Sequence, residues 1–126
     1  MSYIKFNPNP NKNFVGDCVI RAISLATNKD WDATYVNLVI YGYRMADMPS
    51  SNNVWGKYLI DNGFRKMPIP DRCPNCYTVK DFCEDHKHGL YVLATGTHVL
   101  TVMDGNYYDS WDSGEEVPIY YFIKED

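Results

Sequence analysis

Thr97-His98-Val99-Leu100-Thr101-Val102-Met103-Asp104-Gly105-Asn106-Tyr107-Tyr108-Asp109-Ser110-Trp111 reads as two strand-like runs folded about Asp104-Gly105. Asp-Gly accepts the left-handed dihedrals of a tight hairpin turn, and the flanking residues are largely β-branched or aromatic. Leu90–Ala94 precedes this hairpin and Pro118–Ile123 follows it, with breaks at Gly96 and Ser113-Gly114. The pattern predicts a four-strand antiparallel meander. On the central hairpin His98 and Asp109 fall nearly opposite one another, within side-chain reach. Trp111, two residues past Asp109, shares its face, and Ser110 takes the other.

Upstream the periodicity is helical. Gly16-Asp17-Cys18-Val19-Ile20-Arg21-Ala22-Ile23 passes from a polar loop into a helix expected over Asp17–Ala26, with Val19, Ile20 and Ile23 on one face and Asp17 as a candidate cap. Asp30 caps a second helix running to about Met45, whose buried stripe is Tyr35, Leu38, Val39 and Gly42. Ser51 or Asn52 opens a third, carrying Val54, Trp55, Tyr58 and Leu59 and ending at Asn62-Gly63. Pro68, Pro70 and Pro74 leave room for no more than a short edge strand between Met67 and Asn75. Thr78-Val79-Lys80-Asp81 resembles a capping box and starts a short helix to about Asp85. Tyr3–Phe6 is a candidate edge strand, and Asn7–Asn13 is ordered turn structure with amides on display. Helices first and antiparallel strands second give an α+β fold, read as one domain over 1–126.

Composition narrows the function. The 126 residues are 45% hydrophobic and 15% aromatic, enough for a core, and the net charge of −4 comes with no basic block. A nucleic-acid binder working by phosphate neutralisation is excluded on that ground. No stretch approaches the roughly 18 apolar residues of a membrane span, and the first residues lack a secretory signal, so a cytoplasmic protein is expected. In that reducing compartment the four cysteines serve chemistry, metal or packing before disulfides.

Cys18 stands where a helix begins. Free N–H groups and the positive end of the helix dipole favour a thiolate there. His98 is the candidate base and Asp109 the group that fixes its tautomer, giving the order Cys, His, Asp. Arg21 is placed to pair with Asp17 or to serve as plain surface, while Trp111 and Tyr107-Tyr108 read as core aromatics. Taken singly, Cys18 is a small core residue, His98 a satisfied core histidine and Asp109 a surface carboxylate. Their agreement in order and register is what carries the catalytic reading. A second group, Cys73, Cys76, Cys83 and His86, with His88 nearby, offers four soft ligands of the type zinc takes. Its spacing is not that of a standard finger, and the alternative is buried reduced thiols.

The combination of a helix starting at Asp17-Cys18, a histidine strand and a following Asp109-Ser110-Trp111 resembles the papain-like cysteine peptidase superfamily. Asp17-Cys18 looks like the Asp-Cys dipeptide of its bacteriocin-leader-processing and NlpC/P60 branches. Asp109-Ser110-Trp111 resembles the Asn-Ser-Trp of papain, whose tryptophan shields the hydrogen bond to histidine. Small bacterial and phage members of the superfamily look similar overall. The resemblance implies N-terminal helices packed on a C-terminal antiparallel sheet, a Cys18-His98-Asp109 triad, supporting roles for Asp17 and Trp111, and no required cofactor. It also implies an oxyanion donor about six residues before the nucleophile. Papain-like enzymes keep Gln there; this chain has Lys12, flanked by Asn11 and Asn13 as substitute donors. A missing donor costs on the order of 3 kcal/mol of transition-state stabilisation. The expected activity is hydrolysis of a peptide or isopeptide bond in a peptide or protein substrate. Beside it stand a catalytically idle papain-like binding module, a zinc-stabilised interaction protein and a cell-wall amidase.

Overall fold

Three apolar-periodic helices and a short fourth sandwich a mixed sheet in the computed structural model, which describes residues 1–70 and 75–125. The order is β1 (Ser2–Lys5), α1 (Cys18–Thr27), α2 (Trp31–Met45), α3 (Asn52–Asp61), β2 (Phe64–Pro68), α4 (Val79–Asp85), β3 (Leu90–Ala94), β4 (Val99–Met103), β5 (Asn106–Asp109) and β6 (Tyr120–Lys124). The fold is therefore α+β. Among the described residues no helix is long and apolar enough to cross a membrane.

The sheet runs β1-β5-β4-β3-β6-β2. Strands β3, β4 and β5 form the expected antiparallel meander, with Asp104 (φ 52°) and Gly105 (φ 80°) in the left-handed turn that joins β4 to β5. The fourth strand departs from the meander. β6 returns to the free edge of β3, antiparallel, because β4 already bonds on both sides and β1 occupies the outer edge of β5 in parallel. β2 closes the far side against β6, with Pro68 at an edge where its missing N–H costs no ladder bond.

Strand alternation divides the core in two. Val92, Ala94, Val99 and Phe122 face α1, α2 and α3, packing on Ile23, Leu38, Trp55 and Leu59. Tyr91, Leu93, Leu100 and Val102 face the opposite way and pack on Val79, Phe82 and Cys83 of α4. The helices thus do not all lie on one side: α4 covers the second face, and β3 and β4 read as unbroken apolar runs because both their faces are buried. Thr101 is the polar exception, its hydroxyl donating to the Ala22 carbonyl at 2.7 Å and tying β4 to α1.

Local signals hold at the starts of α2 and α4, whereas Ser51, at the N-cap position of α3, turns its hydroxyl to Asp47 Oδ2 and caps no helix N–H. Asp30 accepts the Ala33 N–H at 2.7 Å, and Thr78 and Asp81 complete their reciprocal capping box. The buried stripe of α2 is narrower than expected. Thr34, Leu38 and Gly42 are buried, whereas Tyr35 and Val39, one position further round, are 47% and 40% exposed. Gly42 lets the following segment close on α2, since an added Cβ would lie 2.8 Å from the Asp47 carbonyl oxygen and 3.1 Å from the Pro49 nitrogen. Gly42→Ala should accordingly cost about 1–3 kcal/mol through overpacking, read as a lower urea midpoint. An unchanged midpoint would mean that residues 47–49 are not held there.

Candidate active site

Cys18 is the first residue of α1, where the helix geometry leaves its N–H without an intrahelical acceptor. The loop preceding β4 brings His98 to it. His98 Nε2 lies 2.5 Å from Asp109 Oδ2, so the nitrogen left for the cysteine sulfur is Nδ1. His98 and Asp109 meet diagonally across the hairpin, whose observed register pairs Thr101 with Tyr108 and Val102 with Tyr107. The sequence therefore placed both residues correctly to within one step of the ladder.

The electrostatics favour a charge-separated pair. Burial works against a thiolate at Cys18, but hydrogen bonds from the His98 ring and the Val99 N–H, with the charges of His98 and Arg21, outweigh it and lower the thiol pKa. Burial likewise opposes an imidazolium at His98. The hydrogen bond and charge of Asp109, with Cys18 as second partner, overcome that and push the His98 pKa up to about 9. Each group thus shifts toward its charged form, the arrangement in which a cysteine is nucleophilic near neutral pH.

Asp109 is 3% exposed, and its carboxylate is encircled by donors. Oδ2 accepts from His98 and from Ser113 Oγ (2.7 Å); Oδ1 accepts from the Ser110 N–H (2.8 Å) and faces Arg21 Nη2 at 3.5 Å. Arg21, itself 8% exposed, also pairs through Nη1 with Asp17 Oδ1. The other Asp17 oxygen accepts Trp31 Nε1 at 2.9 Å. Asp17 holds the N-cap position of α1, yet its side chain does not cap the helix. It is committed instead to a polar chain running Trp31, Asp17, Arg21, Asp109, His98, whose three central members are buried. A cation in the first turns of a helix opposes the dipole, and two flanking carboxylates offset that cost.

A cleft of about 370 Å³ opens over Cys18 and His98, bounded by Ser110 and Trp111 and by the Asn13–Gly16 loop. Trp111 is not the core residue expected. It is 46% exposed, with its ring 5.0 Å from that of His98 and tilted by 39°. Because β5 ends at Asp109, strand alternation stops there, and Ser110 and Trp111 both line the cleft. Tyr107, by contrast, is core. Of the three substitute donors, Asn13 lines the cleft, whereas Asn11 and Lys12 do not. The Lys12 ammonium donates to the Asn7 carbonyl at 2.9 Å, and the Asn9 side chain accepts the Asn11 and Asn13 N–H groups to build the turn. Asn7 also reaches the cleft, which the sequence did not indicate.

The cysteine-histidine group of the middle segment is not assembled in the same way. Cys73 lies outside the described residues. Cys76 is exposed, while Cys83 is wholly buried on the sheet-facing side of α4, where burial raises its thiol to about 11. His86 stacks on Phe82 at 3.8 Å and bonds the Phe82 carbonyl through Nδ1. Among the described residues no three His, Cys, Asp or Glu side chains converge as metal ligands.

Ser113 and the Arg21–Asp109 contact were not anticipated. The pairing of Arg21 with Asp17, four residues apart on α1, was legible; the bridge to Asp109, 88 residues away, and the Ser113 bond depend on the tertiary fold. No family model, no curated protein and no solved structure matches this chain.

Proposed function

We propose that this chain is a papain-like cysteine hydrolase that cleaves a peptide or isopeptide bond through a thioester. The observation that carries the reading is His98 bonded to Asp109 at 2.5 Å and lining one cleft with Cys18, with both members of the Cys18-His98 pair shifted toward the charged state. In the acylation step the Cys18 thiolate attacks the carbonyl carbon, and the oxyanion meets the Cys18 N–H and an amide donor, a role assigned to Asn13 because it lines the cleft. His98 Nδ1 then gives its proton to the leaving amine as the C–N bond breaks, which leaves the acyl group on sulfur. Water attacks the thioester as neutral His98 takes its proton, and the acid departs with the thiolate restored.

The test is the alkylation rate of Cys18 by iodoacetamide against pH, followed by peptide mass mapping, in the parent and in His98→Ala. Reaction well below pH 7 that is lost in the variant is the expected result. Titration near 8.5 in both proteins, the ordinary thiol value, would sink the reading. The substitution of Lys12 for the usual Gln favours a second reading, a catalytically idle module binding a protein partner. Cys18→Ser separates the two, since partner binding survives that change and hydrolysis does not.

A further inference from the structure

The buried stripe of α2 is narrow, Thr34, Leu38 and Gly42, and at about 3.6 residues per turn the side opposite Leu38 carries Ala33, Val36, Ile40 and Tyr43. On a helix that merely covers a core, that outer side is polar. Here it is apolar and open to solvent: Tyr43 is 87% exposed, Val36 54% and Ile40 40%. Among the described residues, seven of the fourteen exposed large apolar side chains fall between Tyr35 and Met48, so the apolar surface is gathered on this helix and its exit rather than scattered. Helix propensity does not account for it, since Val36 and Ile40 are β-branched and lose rotamer freedom in a helix.

The spacing indicates what covers the face. Ala33, Val36, Ile40 and Tyr43 follow the three-four-three interval at which one helix presents a seam to another. Position 38 lies midway between 33 and 43, and also midway between 36 and 40. A second α2 laid antiparallel, with a two-fold axis at the level of Leu38, therefore brings Val36 to Ile40 and the small Ala33 to the large Tyr43, each pair occurring twice. Parallel pairing would set Tyr43 on Tyr43 and Ala33 on Ala33, crowding one end and leaving a gap at the other.

Charge selects the same arrangement. The first turn of α2 carries Asp32, beside the capping Asp30, and its last turn carries Arg44. Asp32 and Arg44 are both exposed, and among the described residues neither belongs to a salt bridge. Lys29 and Asp47, just outside the helix, are turned to Tyr58 and Ser51. Antiparallel packing lays the acidic end of each helix against the basic end of the other and opposes their dipoles; parallel packing lays like on like.

We infer that the outward face of α2 is a self-association surface, on which a second copy of this chain packs its own α2 antiparallel about a two-fold axis. None of the seam residues lines the cleft over Cys18, and the inference is independent of the hydrolase reading. Four seam residues on a helix about 22 Å long make a contact at the small end of specific interfaces, so the dimer is expected to be weak.

Sedimentation velocity of the full chain from about 1 μM to about 1 mM tests the surface. The mass should rise with concentration from that of the 14.6 kDa chain toward twice that value. Val36→Asp and Tyr43→Ser should each weaken association at least about tenfold, the scale of losing a central interface side chain. Ile60→Asp, at an exposed apolar position of α3, should leave it in place. Near-UV circular dichroism shows that each variant is folded, and at 87% exposure Tyr43 can be changed without touching the core. Direction is read by oxidising a mixture of the Val36→Cys protein and isotope-labelled Ile40→Cys protein, then mapping the peptides. The 36–40 disulfide should exceed the 36–36 and 40–40 products. A chain that stays monomeric over the whole range, or a dimer indifferent to both Val36→Asp and Tyr43→Ser, would overturn the surface. A monomer that floats with phosphatidylcholine vesicles would give the face to a membrane and overturn it equally. An excess of 36–36 and 40–40 products would overturn the antiparallel packing.

Discussion

Replacing Arg21 by Met is expected to destabilise the protein by about 3–5 kcal/mol, the cost of removing one partner from a buried ion-paired network. The guanidinium sits between two carboxylates that are nearly inaccessible, Asp17 at 4% and Asp109 at 3% exposure. Without it two negative groups, both nearly buried, face each other across an apolar space of similar volume. The aliphatic part of Met preserves the packing, so the loss reports charge. Urea denaturation at pH 7 measures it. Arg21→Met combined with Asp17→Asn should recover part of the loss, because the second change removes one of the stranded charges; a cost below about 1 kcal/mol for the single variant would show that the network is solvated in solution. Arg21 touches no reacting atom. It is a positioning residue, and its removal should also shift the pH dependence of Cys18 alkylation, which a purely structural arginine would leave in place.

Asp109→Asn should be far from conservative. The Asp109 carboxylate faces donors on both oxygens, His98 and Ser113 on one side and Ser110 N–H and Arg21 on the other. Asn has one acceptor oxygen and one NH₂ group, so in either orientation its NH₂ points at donors. The expected result is a fall of at least about 100-fold in the rate of Cys18 alkylation at pH 6, from loss of the carboxylate that holds the imidazolium. Imidazole NMR provides the direct reading. In the parent, burial pulls the His98 pKa down but the Asp109 bond and charge push it up to about 9, so the ring is expected to titrate there. In the variant its titration should move down toward the ordinary value of about 6.5. The stability consequence has a definite sign. A histidine whose folded pKa lies above its unfolded one contributes fully below about pH 6.5, and that contribution is lost as the pH rises through about 9. The parent should therefore lose stability over that window, and Asp109→Asn should flatten the decline. A His98 titration unmoved by the variant would mean that Asp109 is not its charge partner.

Helix α1, the capping box at Thr78 and Asp81 and the turn at Asp104-Gly105 follow from neighbours in the chain, and the sequence resolves all three. Each depends on backbone groups satisfied within a few residues. The place of β6 does not. Its alternation is ordinary, and only the occupation of the β4 and β5 edges by other strands sends it to β3. Likewise nothing local says that α4 covers the second face of the sheet. The apolar runs of β3 and β4 show burial on both faces without saying what lies over each. Tyr35 and Val39 were misread for a related reason. Periodicity marks a face as apolar, and an apolar face can line an open cavity as readily as a closed core.

The sequence by itself determined the α+β class, the place of Cys18 at a helix start and the near-opposition of His98 and Asp109, because helix phase, hairpin register and turn chemistry are properties of short stretches. The tertiary structure alone decided that Arg21 bridges Asp17 to Asp109, that Ser113 completes the carboxylate's shell and that Trp111 borders an open cleft. These are contacts between residues far apart in the chain, whose geometry is set by how the helices and the sheet pack and leaves no periodic trace in the sequence.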